Sequence, residues 1–281
     1  MILDRNKEKP VKYILVTNDD GIESPGLWAA VGALLPLGKV VVAAPREQQT
    51  STGRSMPVSS DGRITPYPYT LDGQQVEAYA VGGSPAQSVQ HAVLEIMPEY
   101  PDLVVSGVNY GENVGTGVTI SGTVGAALEA GALGIPALAV SLQMLTENWY
   151  SYENLDFSAA AHFTSLFARS VLAMGLPPDA DLLKIEIPAS ATPKTVWRVT
   201  RQSRARYYSP YLTREGGWDA KGILSSRIEV NPNDVEPDSD VQAVLYDHVV
   251  SVSPLSIDLT SRVDFNVLGK RLGSGILRSQ I

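Results

Sequence analysis

The chain has 281 residues, 44% of them hydrophobic, a net charge of −8 and a pI of about 4.9, enough apolar material for one large α/β domain with or without a smaller appendage. An acidic chain with no long Lys/Arg run is a poor grip for a nucleic-acid polymer, and no apolar run reaches the roughly 18 residues of a membrane span. Cysteine is absent, which excludes disulfides, thiolate metal sites and Cys nucleophiles, and the three histidines, His91, His162 and His248, make no His-rich metal cluster.

The first predicted strand is 13–17, an apolar, partly β-branched run that ends in Asn18-Asp19-Asp20-Gly21. Residues 1–12 before it are charged and lack an apolar h-region, so no secretory signal is expected. With the lack of cysteine this points to a cytoplasmic protein. If the strand lies in a parallel sheet, Asp19 and Asp20 sit at its carboxyl end, where open α/β sheets bind ligands. Two hard oxygen anions there suit Mg²⁺, Mn²⁺ or Ca²⁺. The same residue types also suit a plain turn.

Helix is expected at 24–35, with Pro25 in its first turn, and strand at 39–43. A hydroxyl-rich loop follows, containing Arg46, Thr50, Ser51, Thr52 and Arg54. Its hydroxyls and amides can ligate a cation or hold phosphate oxygens, or simply be polar surface. Next come a strand at 76–81 and a helix at 85–97. A strand at 103–106 leads into a Gly-rich loop that carries Asn109, whose amide oxygen is a neutral hard ligand. That loop matches neither a dinucleotide fingerprint nor a Walker A loop.

Ser121, Gly122 and Thr123 open a helix at 122–133, where free N–H groups make an anion site; Ser121 equally reads as an N-cap. Strand at 137–141, helix at 155–174 and strand at 183–187 complete an alternation that predicts a doubly wound, mostly parallel α/β sheet. Beyond residue 190, strands are expected at 195–200, 222–230 and 241–252, and a helix at 256–268. The expected division is a Rossmann-like catalytic domain over 1–190, a β-rich hairpin extension over 191–255 and a C-terminal helical arm over 256–281.

Asp19, Asp20, Thr50 and Asn109 thus describe a metal cradle beside a phosphate cradle at Ser121–Thr123. This suits metal-assisted attack of water on a phosphomonoester, with Asp20 orienting or deprotonating the water. Whether water or a carboxylate attacks stays open. Arg198, Arg201, Arg204 and Arg206 read as a solvated or intersubunit face, and His248 as structural.

In order along the chain, Ile14-Leu15-Val16-Thr17-Asn18-Asp19-Asp20-Gly21-Ile22, Ala43-Ala44-Pro45, Gly83-Ser84-Pro85-Ala86, Val104-Val105-Ser106-Gly107-Val108-Asn109, Ser121-Gly122-Thr123-Val124, Pro136-Ala137-Leu138-Ala139-Val140-Ser141, Val199-Thr200-Arg201 and Val252-Ser253-Pro254-Leu255 closely resemble the SurE family (survival protein E), metal-dependent nucleotide phosphatases. The resemblance implies a Rossmann-like fold with a β-hairpin extension and a C-terminal arm exchanged between subunits of a homodimer or homotetramer. It implies hydrolysis of nucleoside 5′- and 3′-monophosphates, with one divalent cation per subunit, Mn²⁺ or Mg²⁺, on Asp19, Asp20, Thr50 and Asn109. Four places depart from the family. Thr50 stands for a usual serine, with Ser51 beside it, and Pro45-Arg46-Glu47 stands for Pro-Asp-Arg. Ser84-Pro85-Ala86-Gln87-Ser88 replaces a Thr-Pro-Ala-Asp-Cys run, which implies a changed charge near the pocket. His248-Val249 replaces a Gly-Tyr pair. The rival reading is a nucleotide- or phosphate-binding sensor that does not hydrolyse its ligand. An aspartyl-nucleophile phosphatase fits less well, because its two aspartates alternate whereas these are adjacent.

Overall fold

A computed structural model describes residues 10–144 and 155–273. In chain order the elements are β1 (Tyr13–Thr17), α1 (Pro25–Leu34), β2 (Lys39–Pro45), β3 (Ile64–Pro66), β4 (Tyr69–Leu71), β5 (Gln74–Val81), α2 (Pro85–His91), β6 (Leu103–Tyr110), α3 (Gly122–Ala132), β7 (Ala137–Leu142), α4 (Ser158–Met174), β8 (Leu182–Ile187), β9 (Trp197–Val199), β10 (Tyr208–Arg214), β11 (Gly222–Ile228), β12 (Val250–Leu255) and α5 (Phe265–Arg271). The main sheet runs β3-β5-β2-β1-β6-β7-β8-β12-β9. Its centre, β5-β2-β1-β6-β7-β8, is wholly parallel, while β3, β4 and the β8–β12 pair are antiparallel.

Central strands are buried on both faces, so their sequences are nearly continuous in Val, Ile, Leu and Ala. Alternation still decides which core each side chain joins. Ile14, Val16, Val40 and Val42 pack with α1 and α4, through Leu27, Val31, Phe163 and Phe167. Leu15, Val41, Val104 and Ala139 pack on the opposite face with Val89 of α2 and Val124 and Ala127 of α3. This is the doubly wound arrangement that the strand–helix alternation predicts. At one edge the Trp28 indole stacks on Tyr69 with centroids 3.5 Å apart and donates to the Ile22 carbonyl.

The chain builds outward from β1 to β2 and β5, then crosses back to β6 and continues through β7 and β8. The direction reverses between β1 and β6, which makes that crevice the topological switch point. It is also where Asp19, Asp20 and Asn109 leave the sheet.

Several elements differ from the sequence reading. The strand expected at 103–106 runs on to Tyr110, so Asn109 is a strand residue rather than a loop residue. The helix expected at 85–97 is α-helical only to His91 and widens to a π turn over Ala92–Ile96. The strand expected at 241–252 begins only at Val250; before it lies a π turn, Gln242–Tyr246. Val241 and Val244, spaced by helical turns, pack there against Tyr207 and Val114. The helix expected at 256–268 starts only after Asp264, whose carboxylate caps the Asn266 and Val267 N–H groups. Strands β9 and β12 join the main sheet, leaving β10 and β11 as a separate hairpin. Part of the expected arm, residues 274–281, lies outside the described residues. Among the described residues, no helix is long and apolar enough to cross a membrane.

Candidate active site

The turn after β1 is held by Asn18, whose amide donates to the Gly21 carbonyl at 2.9 Å. Asp19, 4% exposed, points at the start of α3. There the Thr123 hydroxyl donates to its Oδ1 at 2.5 Å. The Gly122 and Thr123 backbone N–H groups face the same carboxylate. Gly122 permits this approach, since a Cβ there would lie 2.7 Å from Asp19 Cβ. Asp20, half-buried, accepts from the Tyr110 N–H at 3.2 Å and from Gln48 Nε2 at 3.3 Å. Burial pushes Asp19 up to about 6. Burial and then the neighbouring Asp19 charge push Asp20 up to about 7.

Asn109 commits its amide nitrogen to the carbonyls of Gly111, at 2.7 Å, and Tyr110, at 3.3 Å. Its oxygen is the end left for a ligand. The loop after β2 is strapped over the site by three contacts. Gln49 N–H donates to the Asp19 carbonyl at 2.6 Å and Gly53 N–H to the Ile120 carbonyl at 2.9 Å. Arg54 donates to the buried Glu129 of α3 at 2.7 Å. Thr50 and Ser51 both reach the cavity, Ser51 with φ +60°.

These residues open onto one cavity of 730 Å³, which Asp19, Asp20, Thr50, Ser51, Asn109 and Ser121 all line. The donor set is two carboxylates, an amide oxygen and hydroxyls. These are hard oxygens suited to a divalent cation, and a cation there would relieve the repulsion between the buried carboxyls. Among the described residues no cluster of three or more His, Cys, Asp or Glu side chains is placed to hold a metal, so neutral oxygens would have to complete any shell.

The helix-opening residues divide their work differently from the sequence expectation. Ser121 lines the cavity and caps α3, accepting from the Val124 N–H at 3.1 Å. Gly122 and Thr123 do not line it; their donors are spent on Asp19. Gln87, expected to alter charge near the pocket, closes a capping box with Ser84 and bonds Ser60. It is a helix cap away from the cavity. Of the four arginines expected on a solvated face, Arg198 pairs with Asp247 and Arg201 with Asp238. Arg206 instead lines the cavity. His248 sits in the turn before β12 at φ +51°.

Sequence reasoning missed the far wall, made of Glu112 from the loop after β6 and Tyr208, Pro210 and Ser226 from the β10–β11 hairpin. A buried polar network anchors that wall. Tyr207 donates to Glu112 at 2.6 Å, and the Asn113 N–H to Glu186 at 2.8 Å. Lys184 donates to Asp240 at 2.9 Å and lies 3.6 Å from Glu186. Asp240 also accepts from the Gly115 and Ser203 N–H groups. Burial pushes Glu186 up to about 7 against the pull of Lys184.

A doubly wound sheet with adjacent aspartates at its switch point, strapped by a hydroxyl loop and roofed by a hairpin, defines an α/β protein with an acidic, oxygen-lined ligand cleft. A family model described as Survival protein SurE matches residues 14–209. Two relatives named 5′-nucleotidase SurE match nearly end to end. That of Methanosarcina acetivorans is 38% identical over 92% of this chain and 97% of its own. That of Thermococcus gammatolerans is 41% identical over 91% and 94%. The crystal structure of the SurE protein from Aquifex aeolicus superposes with a TM-score of 0.72, at 32% identity over 92% of this chain and 97% of that one. The chain belongs to the SurE family.

Proposed function

We propose that the chain is a 5′-nucleotidase, a phosphomonoesterase that converts nucleoside 5′-monophosphates, and 3′-monophosphates, to nucleoside and phosphate. The names of its relatives support the reaction class. The observation that carries the reading is the meeting of Asp19, Asp20 and Asn109 at the switch point, on one cavity with Ser121. We assign one divalent cation per subunit, Mn²⁺ or Mg²⁺ with Ca²⁺ or another divalent ion as substitutes, to Asp19, Asp20, Asn109 and the Thr50 or Ser51 hydroxyl. When bound, such an ion polarises the phosphoryl group and lowers the pKa of a neighbouring water.

The residues divide the remaining work. Asp19 is held rigid by Thr123 and the α3 amides. Asp20, the more accessible carboxylate, orients the attacking water and takes its proton. The water oxygen bonds to phosphorus as the P–O ester bond breaks, and the departing nucleoside oxygen takes a proton from solvent. Ser121, accepting from Val124, keeps its own hydroxyl proton for a phosphoryl oxygen. We further propose a cytoplasmic homodimer or homotetramer. The lack of cysteine fits that compartment, and the bare Leu212, Trp218 and Leu224 on the hairpin fit a subunit contact.

The test is phosphate release from nucleoside 5′- and 3′-monophosphates by metal-stripped protein, with Mn²⁺ or Mg²⁺ restored and with chelator in excess. Restored release that chelator abolishes supports the reading. Nucleotide binding without any release would replace it with a sensor.

A further inference from the structure

The cavity is far larger than a phosphate group needs. At 730 Å³ it falls in the roughly 300–1,000 Å³ range that encloses a whole small molecule. The Asp19–Asp20 side supplies only polar oxygens. The hairpin supplies a different chemistry. Tyr208 and Pro210 alternate along β10 and so share a face, and Ser226 is the register partner of Pro210 across β11. Arg206 precedes them by the same two-residue step. All four line the cavity.

The Tyr208 ring is fixed in place. Its hydroxyl donates to the Glu112 carbonyl at 3.2 Å, and it meets the Tyr207 ring edge-on at 4.8 Å. Pro210 adds a flat apolar ring without an N–H. Arg206 is the one cationic side chain among the described residues lining the cavity. Unlike Arg198 and Arg201, it makes no ion pair or side-chain hydrogen bond among them.

We propose that this hairpin face, Arg206, Tyr208, Pro210 and Ser226, is the subsite for the nucleoside half of the substrate. It decides the preference for nucleotides over small phosphomonoesters. The proposal rests on the nucleotidase reading. A nucleobase offers a π face, which stacks on aromatic rings and on guanidinium planes, and edge acceptors for guanidinium N–H groups. The Tyr208 ring is preorganised for this, so little freedom is lost on binding. The phosphoryl end then falls to Ser121 and the aspartate pair.

Arg206→Ala removes the donor and Ser226→Trp fills the face; both positions are exposed, so folding is checked simply by circular dichroism. Steady-state kinetics would compare adenosine 5′-monophosphate with β-glycerophosphate, alongside calorimetric titration of each protein with adenosine 5′-monophosphate and with inorganic phosphate. The ratio of kcat/KM for the nucleotide over glycerophosphate is expected to fall about tenfold in each variant, through KM, with nucleotide affinity weakened to match. A parallel loss for both substrates, or an unchanged ratio with unchanged affinity, would overturn the subsite. Wild-type protein that releases no phosphate from either substrate defeats the hydrolytic reading alone. The titrations then still decide the subsite: equal nucleotide affinity in wild type and variants, or no affinity in the wild type, overturns it.

Discussion

Asp19 and Asp20 are costly residues to bury side by side. Both carboxyls sit above their ordinary value of 3.8 in the folded protein. The folded state therefore binds protons more readily than the unfolded chain, and ionising the pair destabilises it as pH rises from about 4 through about 7. A divalent cation offsets that cost only where the carboxylates are charged. The rise in melting temperature on adding Mn²⁺ should accordingly be small at pH 5 and large at pH 8. An equal rise at both would place the ion elsewhere. Asp20→Asn should remove phosphate release while the circular dichroism spectrum stays native; wild-type turnover in that protein would sink the assignment. Thr123→Val removes the hydroxyl donor to Asp19 without changing side-chain volume much, and should weaken the half-saturating metal concentration by about tenfold, the worth of one hydrogen bond to a charged group. An unchanged metal titration would mean that the α3 amides alone hold Asp19.

The strap over the site depends on contact between two glycines. A Cβ on Gly125 of α3 would lie 2.2 Å from the Gly53 carbonyl oxygen. Gly125→Ala must push away the loop that carries Thr50 and Ser51, costing about 1–3 kcal/mol as other forced overpacking does and weakening metal affinity. Thermal melts and a metal titration would check the two effects together, and a stable protein with wild-type affinity would show that the strap is dispensable. This element was only half legible beforehand. Adjacent aspartates after an apolar run, and Ser121 before an Ala-rich helix, announce themselves through local chemistry. The hairpin wall did not. Pro210 interrupts the usual strand signal, and β10 and β11 are largely exposed, so no buried alternation marks them. Arg206 reads like its neighbours until the fold turns it toward a cavity. Thr123 looked like a phosphate donor because sequence shows a helix start without the carboxylate 104 residues away that occupies it.

Across the whole molecule, the polar network beneath the hairpin joins β8, the loop after β6 and the root of β10. Lys184, Glu186 and Asp240 are fully buried. Removing one member leaves uncompensated buried charge, so Lys184→Met should lower stability by about 3–5 kcal/mol. Below about pH 7 Glu186 takes up a proton in the folded protein, so the loss should be smaller at pH 6 than at pH 8. Urea midpoints at the two pH values would test this, and equal losses would argue that Asp240 alone carries the pairing. The overall layering was the most legible feature, since strand–helix alternation needs only local periodicity. Which strands sit beside β8 was not legible, because β12 and β9 arrive from far along the chain.

The stacked Trp28 gives the protein a built-in optical reporter. Its indole is 5% exposed and bonded to the carbonyl of Ile22, two residues beyond Asp20, whereas Trp197 and Trp218 are largely open to solvent. Emission excited from the chain should therefore contain a blue, quencher-resistant component from beside the aspartate turn and a red, quenchable one from the surface. Following the first against cation concentration would read occupancy of the cleft without any substrate being turned over.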